Sequence, residues 1–240
     1  MESKSRGTLV LLTVAFALLA SVAHAAGAHA LPPISEDVEV GKEALQRSLK
    51  LMASERAADP EMVARVQGIL HRVAAVSDLP ALPYEIHVVP SSIANAGCYP
   101  GGKIIMFEGI WDKKKGFVRK DKEDELASIV AHEVAHAAKR HWARREKGGE
   151  RPRHAEYEIE ADYRGMIYMA RAGYNPKTMI RVFSRQAIRE ARGHQHSHRP
   201  ISRYTREWQQ TFASHPTGHQ RAQALRQNLR EAMEIYRATK

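Results

Sequence analysis

The chain has 240 residues, 43% hydrophobic and 27% charged, with a formal net charge of +10. That length and balance fit one globular domain plus a removable segment, with enough apolar material for a core, and exclude a disordered chain. A single cysteine, Cys98, excludes an intrachain disulfide and a four-cysteine zinc site, so any metal must be held by His, Asp and Glu. The basic charge favours contact with anionic surfaces such as acidic lipid. There is no RNP-like motif, zinc-finger pair or aromatic-basic stripe, so no nucleic-acid partner is expected.

The elements follow in chain order. Lys4 and Arg6 precede an apolar run from Thr8 to Ala20 and small residues to Ala30. This is the order of a secretory signal peptide, and the run is shorter than the roughly 20 residues a membrane span needs. Cleavage is expected after Ala25, or as late as Ala30, leaving a domain over 31–240. The product is expected to be secreted across the inner membrane, and periplasmic in a Gram-negative host. Apolar residues at helical spacing predict helices over 38–52 and from Pro60 to Val73, the second capped by Asp59. Strands are predicted over 84–89 and 103–107, separated by a Ser-, Asn-, Gly- and Pro-rich loop. Lys113 to Lys122 reads as an exposed basic connector. Helices are predicted over 124–145, 155–172 (ending at Gly173) and 175–192, with further helix to the C-terminus interrupted at His215-Pro216. The fold class is α+β: a mostly helical domain with a small sheet ahead of its central helix.

That central helix carries His132-Glu133-Val134-Ala135-His136, an HExxH motif. Residues four apart share a helix face, so both imidazoles can meet one metal ion, with Glu133 placed to take a proton from an activated water. A catalytic zinc ion takes three protein ligands and keeps one position open. A Gly and a His seven and ten residues after His132 would mark one known pattern, but Lys139 and Trp142 stand there. His141 is off the ligand register and suits packing or hydrogen bonding at the helix end. On the following helix Glu158 and Asp162 share a face, continued by Gly165, which would allow close helix approach. Spacing alone leaves two readings open. The glutamates 156, 158 and 160 form a solvated face, or Glu158 is a ligand and Asp162 orients an imidazole. In the second reading Glu156 and Glu160 take no part in holding the metal.

Several segments together resemble a known family. They are Tyr84 to Val89, Asn95-Ala96 through Pro100-Gly101-Gly102-Lys103-Ile104, Glu123 to Ala127 leading into HExxH, Glu158-x-x-Ala161-Asp162, Ala172-Gly173-Tyr174-Asn175-Pro176 and Ser214-His215-Pro216. The chain is similar over roughly residues 36–230 to metallopeptidase family forty-eight of the gluzincin group, which includes CAAX prenyl proteases, Oma-type proteases and bacterial periplasmic proteases. The resemblance implies a zincin-like fold and one Zn2+ per chain held by His132, His136 and Glu158. It implies Glu133 as general base, Asp162 as partner of a zinc-bound histidine, and His215 as a second catalytic residue entering the site, either at the fourth zinc position at rest or stabilising the oxyanion. It also implies that the strand Lys103, Ile104, Ile105, Met106 and Phe107 is the edge to which an extended peptide substrate adds. The chain departs from the family at Cys98 and Tyr99, which replace apolar residues, and in Gly193 to His198, which matches no family element and reads as a polar loop. The implied activity is a secreted zinc metalloendopeptidase in envelope protein quality control. The rival readings are a latent zinc-containing chaperone and a basic surface-binding module with a structural metal.

Overall fold

The computed structural model describes residues 31–54, 56–114, 116–147, 154–191 and 218–240. Residues 1–25, expected to be a signal peptide, residues 193–198, expected to be a polar loop, and His215 lie outside them. Helix α1 spans Ile34–Leu51 and α2 spans Pro60–Ala74. The Asp59 side chain accepts from the Glu61 N–H at 3.0 Å and Pro60 opens α2, as the cap pattern predicts. Strands β1 (Glu85–Val89), β2 (Ala96–Tyr99) and β3 (Lys103–Phe107) follow, then helices α3 (Glu123–Ala138), α4 (His141–Lys147), α5 (His154–Arg171), α6 (Lys177–Ala191) and α7 (Gly218–Ala238). Among the described residues no helix is long and apolar enough to cross a membrane.

The sheet departs from expectation in a way that bears on the site. Its order is β1-β3-β2. Strand β3 pairs in parallel with β1 and antiparallel with β2, so Lys103, Ile104, Ile105, Met106 and Phe107 form the central strand and have no free edge. All five are buried, which is what a strand covered on both faces looks like in sequence. The expected loop between β1 and β3 contains β2, and among the described residues β2 is the edge strand on the side of α3.

Helix α3 is the axle of the fold, buried without interruption from Glu125 to Ala135. It packs against α2, α5, α6 and β2. A helix apolar on all sides belongs inside, which is why this one carries small residues around its histidines. Its first turn holds Glu123, Asp124 and Glu125, favourable at the positive end of the helix dipole. The Tyr174 hydroxyl donates to Glu123 at 3.1 Å and the Asn175 N–H donates to Asp124 at 3.2 Å, so the turn after α5 docks on the start of α3. Gly173, in the left-handed region at φ 80°, makes that turn.

Two expectations are corrected. The helix predicted over 124–145 is two helices, broken at Arg140, whose φ is 51°. Left-handed backbone is costly for a side chain other than glycine. Here Arg140 Nε donates to Asp37 Oδ2 at 2.7 Å, a largely buried ion pair that ties α1 to the break. The basic connector is not wholly exposed: Phe117 and Val118 are buried and both donate to the Ile110 carbonyl at 3.0 Å.

Glu125 fastens that connector to the helices. It is 1% exposed and accepts from Arg185 Nη1 and Nη2 at 2.8 and 2.9 Å and from Arg119 Nε at 2.8 Å. Burial alone would raise its pKa; the two arginines overcome this and hold it at about 2. A depressed carboxylate contributes stability above its unfolded pKa, and that contribution is lost as pH falls toward the folded value. Glu125→Gln is therefore expected to lower the melting temperature at neutral pH and to flatten the loss of stability between about pH 4.5 and 2, read by thermal melts across that range.

Candidate active site

The site forms where α3 and α5 pass closest. A Cβ on Gly165 would lie 3.0 Å from the Ala131 carbonyl carbon and oxygen and from the His132 nitrogen, so only glycine fits without displacing the backbone. That approach carries Glu158, two turns earlier on α5, to the two imidazoles. His132 Nε2 and His136 Nε2 are 3.1 Å apart. Glu158 Oε2 lies 3.4 Å from His132 Nε2, and Glu158 Oε1 lies 3.4 Å from His136 Nε2. A tetrahedral zinc ion with bonds of about 2.0–2.1 Å spaces its ligand atoms about 3.3–3.4 Å apart. The two carboxylate–imidazole separations match that spacing and the imidazole pair stands slightly closer; all three donors are buried or nearly so, and their chemistry is that of a zinc site.

Each histidine has a partner on its other nitrogen. His132 Nδ1 is 2.8 Å from Asp162 Oδ1, so the ring donates there and turns Nε2 toward the cluster. Asp162 is fully buried and is held in turn by Arg221, whose Nη2 and Nε donate to its two oxygens at 2.6 and 2.8 Å. The Arg221 guanidinium lies 3.7 Å over the Phe183 ring. Burial pushes the Asp162 pKa up, but the Arg221 charge and hydrogen bonds hold it below the usual carboxylate range. For His132, burial and the Arg221 charge act downward. The hydrogen bonds to Asp162 and Glu158 prevail and raise its pKa to about 9.

His136 Nδ1 is 2.9 Å from His141 Nδ1, and His141 Nε2 is 3.2 Å from Glu160 Oε2. His141 therefore does hydrogen-bond at the helix end, as its register suggests. Burial, followed by the neighbouring His136 and Arg144, pushes its pKa down to about 2, so the ring is neutral.

Glu133 is 3% exposed and lines two clefts that meet at it. One is walled by Cys98, Tyr99 and Pro100 with His136, Tyr157 and Glu158. The other is walled by Asn95 and Ala96 with Ile110, Phe117, Phe183 and Arg221. Edge strand β2 thus runs along both. Burial and the Glu133 charge raise the Cys98 thiol well above its ordinary pKa, so it stays protonated. Tyr99 points into the fold, its hydroxyl 2.6 Å from Ser48 Oγ.

Of the sequence-predicted residues, the structure brings together His132, Glu133, His136, Glu158 and Asp162. Lys103 to Phe107 lie in the centre of the sheet, and His215 is outside the described residues. Sequence reasoning missed Arg221. Its signal was a charged residue on the apolar stripe of α7, one turn before buried Leu225.

The model of peptidase family M48 matches residues 60–151 and 150–229. This chain belongs to peptidase family M48. It is 30% identical over 154 residues to the mitochondrial metalloendopeptidase OMA1 of Schizosaccharomyces pombe, covering 52% of this chain and 44% of that protein. It is 29% identical over 196 residues to OMA1 of Arabidopsis thaliana, covering 68% of this chain and 36% of that protein. It is 29% identical over 86 residues to the beta-barrel assembly-enhancing protease of Yersinia pestis, covering 36% and 16% respectively. The matches to the OMA1 proteins thus span half of those relatives' length or less. The family match and the donor cluster agree on a metal-dependent peptidase site.

Glu158→Ala is expected to lose bound zinc on dialysis while Glu156→Ala, changed at an exposed position, keeps it, as read by metal analysis. Because His132 holds its proton up to about pH 9, zinc binding must displace it. Zinc affinity is expected to rise with pH through neutrality. Calorimetry in buffers of different ionisation enthalpy is expected to show proton release.

Proposed function

We propose that the chain is a secreted zinc-dependent endopeptidase that cleaves extended segments of polypeptide, working in envelope protein quality control. The observation that carries the chemistry is the placement of buried Glu133 at the junction of two clefts, beside three donors at zinc-ligand spacing. His132, His136 and Glu158 would hold the ion. A zinc ion bound there supplies Lewis acidity, which polarises a carbonyl and lowers the pKa of water. Glu133 takes the proton of the attacking water and later delivers it to the leaving amine. Asp162, locked by Arg221, keeps the His132 ring turned toward the cluster. Arg221 Nη2, 3.2 Å from His132 Nδ1, also brings a fixed positive charge to this wall.

The substrate edge is reassigned from β3 to β2. Among the described residues β2 pairs only with β3, and Asn95 and Ala96 wall one cleft while Cys98, Tyr99 and Pro100 wall the other. A peptide added along Ala96–Tyr99 would present alternate side chains to the two clefts with its backbone beside Glu133. His215 remains part of the proposal as a residue that enters the site. Arg221, six residues later in sequence, reaches His132, which supports that role. The leader over residues 1–25 and the relationship to OMA1 and beta-barrel assembly-enhancing proteases support export and a quality-control role. The basic charge supports contact with anionic membrane surface.

Glu133→Gln is expected to keep its zinc and to lose casein cleavage by about 10²–10⁴-fold, the range for removing a general base. Full activity in that variant would remove Glu133 from the mechanism. Wild-type protein that holds zinc and cleaves nothing would favour the latent chaperone.

A further inference from the structure

We propose that His141 and Glu160 are positioning residues that set the tautomer and the aim of His136. The inference rests on the reading of His132, His136 and Glu158 as a metal site. It reverses the expectation that Glu160, two residues from Glu158, is a bystander.

The break at Arg140 creates the arrangement. On a continuous helix the residue five positions after His136 would be turned roughly 140° away from it. The left-handed Arg140 redirects the chain and brings His141 back beneath His136. The ring centroids are 4.9 Å apart, edge to face, and the two Nδ1 atoms are in hydrogen-bond contact. His141 is 5% exposed and its ring stacks on Tyr157 at 4.7 Å, so its orientation is fixed by packing. Glu160 holds the far nitrogen and is anchored by Arg144 Nη1 at 2.8 Å. Arg144 also lies over the other partner of the stack, with its guanidinium 4.9 Å from the Tyr157 ring.

The hydrogen-bond polarity then has one consistent assignment. An ionised carboxylate only accepts, so His141 Nε2–H donates to Glu160. His136 Nε2 faces His132 and Glu158 at 3.1 and 3.4 Å and carries the lone pair a metal there would take, so the ring's proton is on Nδ1. His141 Nδ1, 2.9 Å from it, accepts that proton's hydrogen bond. The chain Arg144–Glu160–His141–His136 thus does for the second histidine what Arg221–Asp162 does for the first. In both chains an arginine anchors a carboxylate from α5. One carboxylate meets its histidine directly, and the other works through an intervening imidazole.

The test is zinc affinity by chelator competition, with the fold checked by circular dichroism and thermal melting. Parallel nitrogen-15 spectra of the histidine rings are recorded on wild-type protein. His141→Phe keeps the stack on Tyr157 and deletes the hydrogen bonds; it is expected to weaken zinc binding by about 10–100-fold. Glu160→Leu is expected to weaken it similarly. Glu160→Gln, whose amide oxygen can still accept from His141, is expected to recover most of the affinity, a rescue that a purely structural role would not give. The spectra are expected to show His136 protonated at Nδ1 and His141 at Nε2. Wild-type affinity in His141→Phe, or His136 protonated at Nε2 in the zinc-free protein with His141 donating to it, overturns the proposal while leaving the metal site standing. Wild-type protein that takes up no zinc overturns the metal site itself and this inference with it. If His141→Phe fails to fold, the wild-type spectra and the Glu160 pair decide.

Discussion

Everything at this site depends on how closely two helices approach. Helix α3 carries the HExxH face and α5 carries the carboxylates, and the missing Cβ of Gly165 lets α5 lie against the backbone at Ala131 and His132. A few tenths of an ångström there would carry through a rigid helix to Glu158 and Asp162. The three donor atoms would then leave the spacing that suits zinc. Close packing makes such a shift costly, since the surrounding core has no slack to absorb it. The fixed donor geometry is thus a property of the whole helical core, more than of the three ligand side chains.

The polar interior is costly to bury and is made tolerable by pairing. Glu125, Asp162, Glu158, His132 and Arg221 are each 3% exposed or less. An isolated ion at such depth would lose its proton, gain one, or unfold the protein. Here the charges alternate, Arg185 with Glu125 and Arg221 with Asp162. The arrangement fixes ring tautomers and ring planes, which matters more for metal binding than for stability. Stability comes mainly from the apolar cluster that joins α2, α3, α5, α6 and α7 with the inner face of the sheet.

The chemistry was more legible in the sequence than the strand order. HExxH at one helix-turn spacing, and Glu158 with Asp162 one turn apart, are local patterns, and local patterns survive folding. The helices were legible for the same reason, as was the role of Gly165. Strand β2 was not, because Ala-Gly-Cys-Tyr has little strand character and its pairing with β3 is decided by partners. The central position of β3 is likewise a non-local fact, although its unbroken apolar run Ile104 to Phe107 hinted at a covered strand. The break at Arg140 was hidden because Ala137 to Lys147 is helix-compatible throughout. The left-handed turn is imposed by Asp37, 103 residues away. Arg221 lay hidden among many arginines, and only its place on an apolar stripe set it apart.

A zinc ion held by His132, His136 and Glu158 would leave a distinctive X-ray absorption spectrum at the zinc edge of the purified protein. Nitrogen and oxygen scatterers at about 2.0–2.1 Å are expected, with the multiple-scattering signature of two imidazole rings and no sulfur. A sulfur scatterer at about 2.3 Å, which only Cys98 or a methionine could supply, or a signature of fewer than two imidazoles, would contradict that ligand set.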